Sequence, residues 1–115
     1  MRLMRIIGHS MAPTLRPGAL VWVDEAAYAA RPPRRGDIVA ARPQACQGRA
    51  VVKRITGLPD EPVAVEGAPV ILGPEDYFLS GDAPDDSLDS RTLGPVKRQE
   101  LIGRVWMPMA LRRRG

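Results

Sequence analysis

The sequence contains one cysteine, Cys46, and one histidine, His9. A lone cysteine forms no internal disulfide, so the fold does not depend on an oxidising compartment. The two residues are also too few for a zinc site made of histidine and cysteine. The sequence therefore predicts neither a metal ion nor another cofactor.

Long apolar runs are absent as well. No segment reaches the roughly 18 consecutive apolar residues that a transmembrane helix needs. The opening MRLMRIIG is too short to be the apolar core of a signal peptide. On these grounds we expect the chain as given to be soluble.

Aromatic residues make up only 4% of the chain, although its net charge is +4. Surfaces that bind single-stranded nucleic acid combine basic grooves with stacking rings. Here the basic residues gather at Arg31, Arg34 and Arg35 and in the tail from Arg112 to Arg114, and residues 75–89 are acidic. We therefore expect no nucleic-acid partner. The basic tail is either a solvated end or, beside VWMPMAL, a peripheral contact with anionic lipid.

Short apolar or alternating segments, separated by turns rich in glycine and proline, run through the whole chain and predict an all-β fold. A helical turn is expected only in DEAAYAARPP, where two prolines end it. At 115 residues the chain is predicted to be a single domain, residues 1–115. The predicted strands lie in residues 20–23, 37–41, 50–55, 63–67, 70–73, 77–81 and 101–107.

Lys53 lies in one of these segments, VVKRI. Side chains alternate between the two faces of a strand, so Lys53 shares its face with Val51 and Ile55. A functional lysine in apolar surroundings would produce this pattern. A lysine that extends into solvent from a sheet edge would produce it too, and spacing alone leaves both interpretations open.

Four motifs follow one another along the chain: GHSMAPTLRPG at 8–18, RRGDIV at 34–39, VVKRITGLPDE at 51–61 and GDAPDDSLDSRTLGPV at 81–96. In this order they resemble the signal peptidase I family of Ser/Lys proteases, and the resemblance extends from residue 6 to about residue 105. It implies a mainly β fold with little helix, built as an antiparallel coiled or barrel-like sheet. It also implies a serine endopeptidase that removes an N-terminal leader from a precursor protein.

The resemblance places the nucleophile at Ser10 and the general base at Lys53. A serine hydroxyl is a poor nucleophile until a neighbouring base takes its proton. A free lysine has a pKa of about 10.4, so a lysine that acts as base must be desolvated. Arginine cannot take this role because its guanidinium keeps its proton. His9 is read as a bystander, on the expectation that strand alternation points it away from the side of Ser10.

The resemblance implies two further sets of residues around this dyad. The polar set supports the lysine, with Ser87 orienting it and Asp82, Asp89 and Arg91 forming the surrounding cluster. The other set binds the substrate as an added β-strand with shallow pockets for small side chains. It comprises Ile6, Ile7, Gly8, Met11, Ala50, Val51 and Val52. Relatives that carry a hydroxyl at the position of Gly8 use it as a second oxyanion donor, which this chain lacks.

Typical members of the family carry one or more membrane spans before the nucleophile, whereas nine residues precede Ser10 here. Either an anchor is missing and the protein is membrane-associated, or the chain represents a soluble, cytoplasmic branch. The block at 81–96 resembles the soluble proteases that mature nickel-type superoxide dismutase. The alternatives are a general signal peptidase for secretory precursors and, in another class, a non-catalytic basic β module that binds nucleic acid or membrane.

Overall fold

The computed structural model describes residues 1–65, 67–83 and 94–107. Most regular structure in these residues is strand, accompanied by the one-turn helix α1, Ala27–Ala30. Two 3-10 turns, Gln44–Cys46 and Arg98–Glu100, were not predicted, because three residues are too few to produce a periodic pattern. The strands are β1 Arg2–Arg5, β2 Leu20–Asp24, β3 Ile38–Ala41, β4 Val51–Gly57, β5 Pro62–Val65, β6 Ala68–Ile71, β7 Asp76–Ser80, β8 Val96–Lys97 and β9 Leu101–Val105.

Seven of these strands form one curled antiparallel sheet in the order β1-β2-β9-β3-β4-β7-β8, and β5 and β6 form a separate hairpin. The strand pairing shifts register at two places, between Ala40 and Ala41 on β3 and between Ile55 and Gly57 on β4. Such irregularities increase the local twist of a strand. The predictions of a mainly β fold and of an antiparallel coiled or barrel-like sheet are confirmed, and the sheet is a curled half-barrel.

Strand β3 lies between two clusters of core side chains and is packed on both of its faces. Ile38 and Ala40 face the first core cluster, whereas Val39 and Ala41 face the second. A strand buried on both faces is expected to be apolar throughout, as IVAA is. The first core cluster contains Ile6, Met11, Leu15, Val21, Val23, Ile38, Ala40, Val105 and Met107. The second contains Tyr28, Val39, Ala41, Ile55, Tyr77, Leu79 and Val96.

Residues 6–19 connect β1 to β2, and their ends are held together by the backbone. Ile6 N donates to Ala19 O at 2.8 Å, and Gly18 N donates to Ile6 O at 2.7 Å. Gly18 has a φ of +85°, a conformation that side chains with a Cβ rarely adopt. The loop therefore leaves the sheet and returns to it at a fixed position.

The described residues include no helix that is long and apolar enough to cross a membrane.

Candidate active site

Ser10 lies in a compact turn between β1 and β2, residues 10–15, which we call the serine turn. Ala12 N donates to His9 O at 3.0 Å, and Leu15 N donates to Met11 O at 2.8 Å. The side chains of Met11 and Leu15 are buried in the first core cluster. Ser10 itself is half-buried. The turn thus has two apolar anchors and leaves its serine at the edge of the core.

His9 precedes this turn in a bend and is exposed. Strand β1 ends at Arg5, so the strand alternation expected for residues 8–10 does not apply there. The premise used to orient His9 was wrong, because the chain turns before it reaches the serine.

Lys53 lies on β4, which pairs with β3 on one side and β7 on the other. The residue is 4% exposed, and it is the only charged or polar residue in the buried class among those that the structure describes. A side chain that extends into solvent from a sheet edge is therefore excluded. Val51 and Ile55, two positions away on either side, pack with the second core cluster.

Arg54 points to the opposite face of β4 and pairs with Asp82. Arg54 Nε donates to Asp82 Oδ1 and Arg54 Nη2 donates to Asp82 Oδ2, each at 2.9 Å. Thr14 Oγ1 donates to the same Asp82 Oδ2 at 2.6 Å. Arg54 Nη1 also donates to Gly36 O at 2.9 Å. A two-pronged guanidinium and carboxylate pair of this kind is among the stronger polar contacts in proteins.

These contacts change the acidity of both partners. Burial alone would raise the pKa of Asp82, but the hydrogen bonds from Arg54 and Thr14 outweigh burial and lower the pKa. The hydrogen bonds to Asp82 raise the pKa of Arg54, against the smaller effect of burial. Both shifts stabilise the charged forms, so the pair remains ionised at neutral pH.

A backbone hydrogen bond joins this polar network to the serine turn, because Ala83 N donates to Ser10 O at 2.9 Å. The structure therefore brings together the serine turn, residues 82 and 83, and the side chain of Arg54. Arg54 is the residue that follows Lys53 in the sequence. Of the polar set predicted from the sequence, Asp82 lies in this network. Ser87, Asp89 and Arg91 lie outside the described residues.

The residues predicted to bind substrate fall into three groups by exposure. Ile7, Gly8 and Ala50 are exposed, and Val51 and Val52 are half-buried. Ile6 and Met11 instead pack in the first core cluster. That position gives these two side chains a role in anchoring the serine turn.

Sequence reasoning missed Thr14 and the pairing role of Arg54. Thr14 lies in the first motif, and Arg54 follows Lys53 in the third. Neither position signals a partner, because Thr14 and Asp82 are 68 residues apart. Such a contact becomes visible only once the fold has brought the motifs together.

Comparison with known proteins agrees with this architecture. The sequence matches the family described as signal peptidase, peptidase S26, over residues 1–73 and 70–110. It is 33% identical to a signal peptidase I of Leptolyngbya laminosa over 87% of this chain and 64% of the relative. It is also 33% identical to the mitochondrial ATP-independent inner membrane protease subunit 1b of Arabidopsis thaliana, over 85% of this chain and 63% of the relative.

The fold is also similar to a solved one. The crystal structure of a signal peptidase I from Enterococcus faecalis V583 superposes with a TM-score of 0.54 at 24% identity, covering 67% of this chain and 98% of the other. The chain spans slightly less than two thirds of the length of the two curated relatives, 64% and 63%. Given the family match along nearly the whole sequence, the chain belongs to the signal peptidase family, peptidase S26.

Proposed function

We propose that this chain carries the catalytic centre of a serine endopeptidase in which Ser10 is the nucleophile and Lys53 the general base. The observation that carries the proposal is the burial of Lys53 at 4% exposure on an internal strand. A buried amine is shielded from bulk water, as the base of a proton-transfer pair needs to be. Arg54 lies on the opposite face and does not lose its proton.

In this mechanism the Ser10 hydroxyl attacks the scissile carbonyl carbon while Lys53 takes its proton. The tetrahedral intermediate collapses to an acyl-enzyme as Lys53 donates that proton to the leaving amine, and water then hydrolyses the ester. The Ser10 N–H is the proposed oxyanion donor. Within the described part of the chain no backbone carbonyl accepts a hydrogen bond from it. Gly8 adds no side-chain donor, so this oxyanion site relies on the backbone.

We propose that the substrate is the leader region of a precursor protein, bound as an added β-strand beside residues 50–52 and 6–8. On β4 the pairing with β3 extends to Val51. The pairing with β7 covers Arg54, Ile55 and Gly57. Among the described strands, none therefore pairs with Val51 and Val52 on the edge of β4 that faces β7. A substrate strand needs such an unpaired backbone edge.

Two kinds of precursor fit this proposal. The block at 81–96 resembles the maturation proteases of nickel-type superoxide dismutase, which favours the leader of that precursor and a cytoplasmic location. The similarity to signal peptidase I of Leptolyngbya laminosa favours a secretory signal peptide ending in Ala-x-Ala. We place the superoxide dismutase precursor first, because the resemblance of this block is the more specific one.

A peripheral membrane contact is proposed alongside either activity. Leu3 lies opposite Trp22 in the pairing of β1 with β2, and Trp106 N donates to Trp22 O at 2.8 Å. These three side chains and Leu20 are exposed. We call them the outer apolar face. Arg5 pairs with Leu20 beside it, and tryptophan next to basic residues is typical of membrane interfaces. The basic tail lies outside the described residues.

Intact-mass measurement of two precursors tests the activity. A nickel-type superoxide dismutase precursor with its leader and a secretory precursor ending in Ala-x-Ala are each incubated with wild type, Ser10→Ala and Ser80→Ala. Ser80 bonds Thr56 on the sheet, with 2.9 Å between their hydroxyl oxygens, and serves as the matched control. We expect wild type and Ser80→Ala to remove one leader at one bond, and Ser10→Ala to remove none.

The two precursors also separate the alternatives. Cleavage of the secretory precursor alone would reject the superoxide dismutase branch and retain the protease. Cleavage of neither by folded wild-type protein would reject the proposed activity and favour a binding module. A binding module would lose its affinity steeply as salt is added.

A further inference from the structure

The carboxylate of Asp82 connects two segments that are distant in sequence. Its Oδ2 accepts the Thr14 hydroxyl at 2.6 Å and Arg54 Nη2 at 2.9 Å, and its Oδ1 accepts Arg54 Nε at 2.9 Å. Thr14 belongs to the serine turn and Arg54 to strand β4. The connection is partly buried, where water competes less for these hydrogen bonds than at the surface.

The serine turn is held at both of its ends by consecutive residues. Ala83 N donates to Ser10 O at 2.9 Å at one end, and Asp82 accepts from Thr14 at the other. Asp82 is in turn fixed to Arg54, the residue that follows Lys53 on β4. The Thr14 hydroxyl is therefore one of the links between the turn and this strand.

We propose that Thr14 is a positioning residue: its hydrogen bond to Asp82 fixes the turn that carries Ser10 against strand β4, which carries Lys53. This inference rests on the proposed function, because it concerns the geometry of the Ser10 and Lys53 pair. Proton transfer requires heavy atoms within about 2.6–3.2 Å. A displacement of about 1 Å caused by a change outside the reacting groups can cost about 100-fold in rate.

Apolar anchoring of the turn alone would predict a different result. Met11 and Leu15 pack in the first core cluster whether or not the Thr14 hydroxyl is present. If these two side chains were sufficient to hold the turn, loss of the hydroxyl would lower the free energy of unfolding and leave kcat unchanged. A fall in kcat with little change in KM therefore distinguishes positioning by Thr14 from apolar anchoring alone.

The test compares Thr14→Val, Thr14→Ser and Thr56→Val with wild type. Valine keeps the shape of threonine without the hydroxyl, and serine keeps the hydroxyl. Thr56 is the matched control, because its hydroxyl is 2.9 Å from the Ser80 hydroxyl and it lies on β4 outside the network. Cleavage of the precursor that wild type processes is followed well below the unfolding temperature of each variant.

We expect Thr14→Val to lower kcat by about tenfold or more with little change in KM. Thr14→Ser restores the rate, and Thr56→Val resembles wild type. Equal kcat for Thr14→Val and wild type, or an equal loss for Thr14→Ser, would overturn the inference while leaving the protease intact. Wild-type protein that is folded but cleaves neither precursor would overturn the proposed function instead. If Thr14→Val does not fold, Thr14→Ala replaces it with the same expectation.

Discussion

At the scale of single residues, the two lysines of the chain occupy opposite environments. Lys53 is buried, whereas the side chain of Lys97 is 59% exposed and pairs with Asp76 at 3.2 Å. We expect Lys53→Arg and Lys53→Met to lower the cleavage rate by at least about 100-fold, because neither side chain accepts a proton at neutral pH. The rate of precursor cleavage, measured on folded variants, checks this prediction.

Lys97→Met is the control for that experiment. An exposed ion pair contributes at most about 1 kcal/mol to the free energy of unfolding, so this variant should keep both its fold and its activity. Retention of activity by Lys53→Arg would contradict the assignment of Lys53 as general base.

Asp82 gives a prediction about pH. Its pKa in the folded protein lies below the ordinary value, so its stabilising effect is complete above the unfolded pKa of about 3.9. This effect is lost as the pH falls through the lowered folded pKa. We expect Asp82→Asn to reduce the free energy of unfolding by about 1–3 kcal/mol at pH 7. Urea unfolding of wild type and variant should show this difference shrinking below about pH 4.

The matched control is Asp60→Asn, because Asp60 is exposed and the same substitution there should change the free energy of unfolding little. A difference between wild type and Asp82→Asn that stayed constant down to pH 2 would show that the charge of Asp82 does not stabilise the fold.

At the scale of the elements, local patterns predicted the strands that alternate or are apolar throughout. β2, β3, β4 and β9 all lie within or close to the predicted segments. β1 was missed because two of its four residues are arginine, and β8 because it has only two residues. The strand order could not be predicted, since β9 enters between β2 and β3 and local patterns carry no information about distant partners.

The close approach of β9 to the end of β2 explains why residue 103 is a glycine. A Cβ at Gly103 would overlap Asp24 O and lie 2.9 Å from Glu25 Cα, both backbone atoms. Gly103→Ala should therefore lower the free energy of unfolding by about 1–3 kcal/mol through overpacking. Chemical denaturation measures the loss. In the control Gly73→Ala the new methyl group meets the flexible Asp76 carboxylate, so equal losses in the two variants would contradict the steric explanation.

At the scale of the whole molecule, the sequence predicted part of the candidate site but neither Thr14 nor the arrangement of the site. The motif resemblance predicted Ser10, Lys53 and Asp82. The burial of Lys53 depends on β3 and β7, which flank its strand. The contact of Thr14 with Asp82 depends on folding across 68 residues. Reactive residue types can be read from motifs, whereas burial and partners arise from the assembled sheet.

The outer apolar face gives a prediction for the molecule as a whole. Both tryptophans of the chain, Trp22 and Trp106, lie in it and are 48% and 43% exposed. On addition of vesicles rich in anionic lipid we expect their emission to shift to shorter wavelength, and salt should weaken the effect. Leu3→Ser keeps both reporters and should reduce vesicle binding. Ile71 is exposed on the separate hairpin of β5 and β6, so Ile71→Ser should not reduce vesicle binding.

The comparison of these two variants decides whether the face itself makes the contact. Ile71 is 67% exposed and Leu3 49%, so a general decrease in hydrophobicity would affect Ile71→Ser at least as much as Leu3→Ser. An effect confined to Leu3→Ser would place lipid against β1 and β2, the strands that flank the turn of Ser10. Unchanged emission with anionic vesicles would remove the membrane from the proposal, because both reporters lie in the surface concerned.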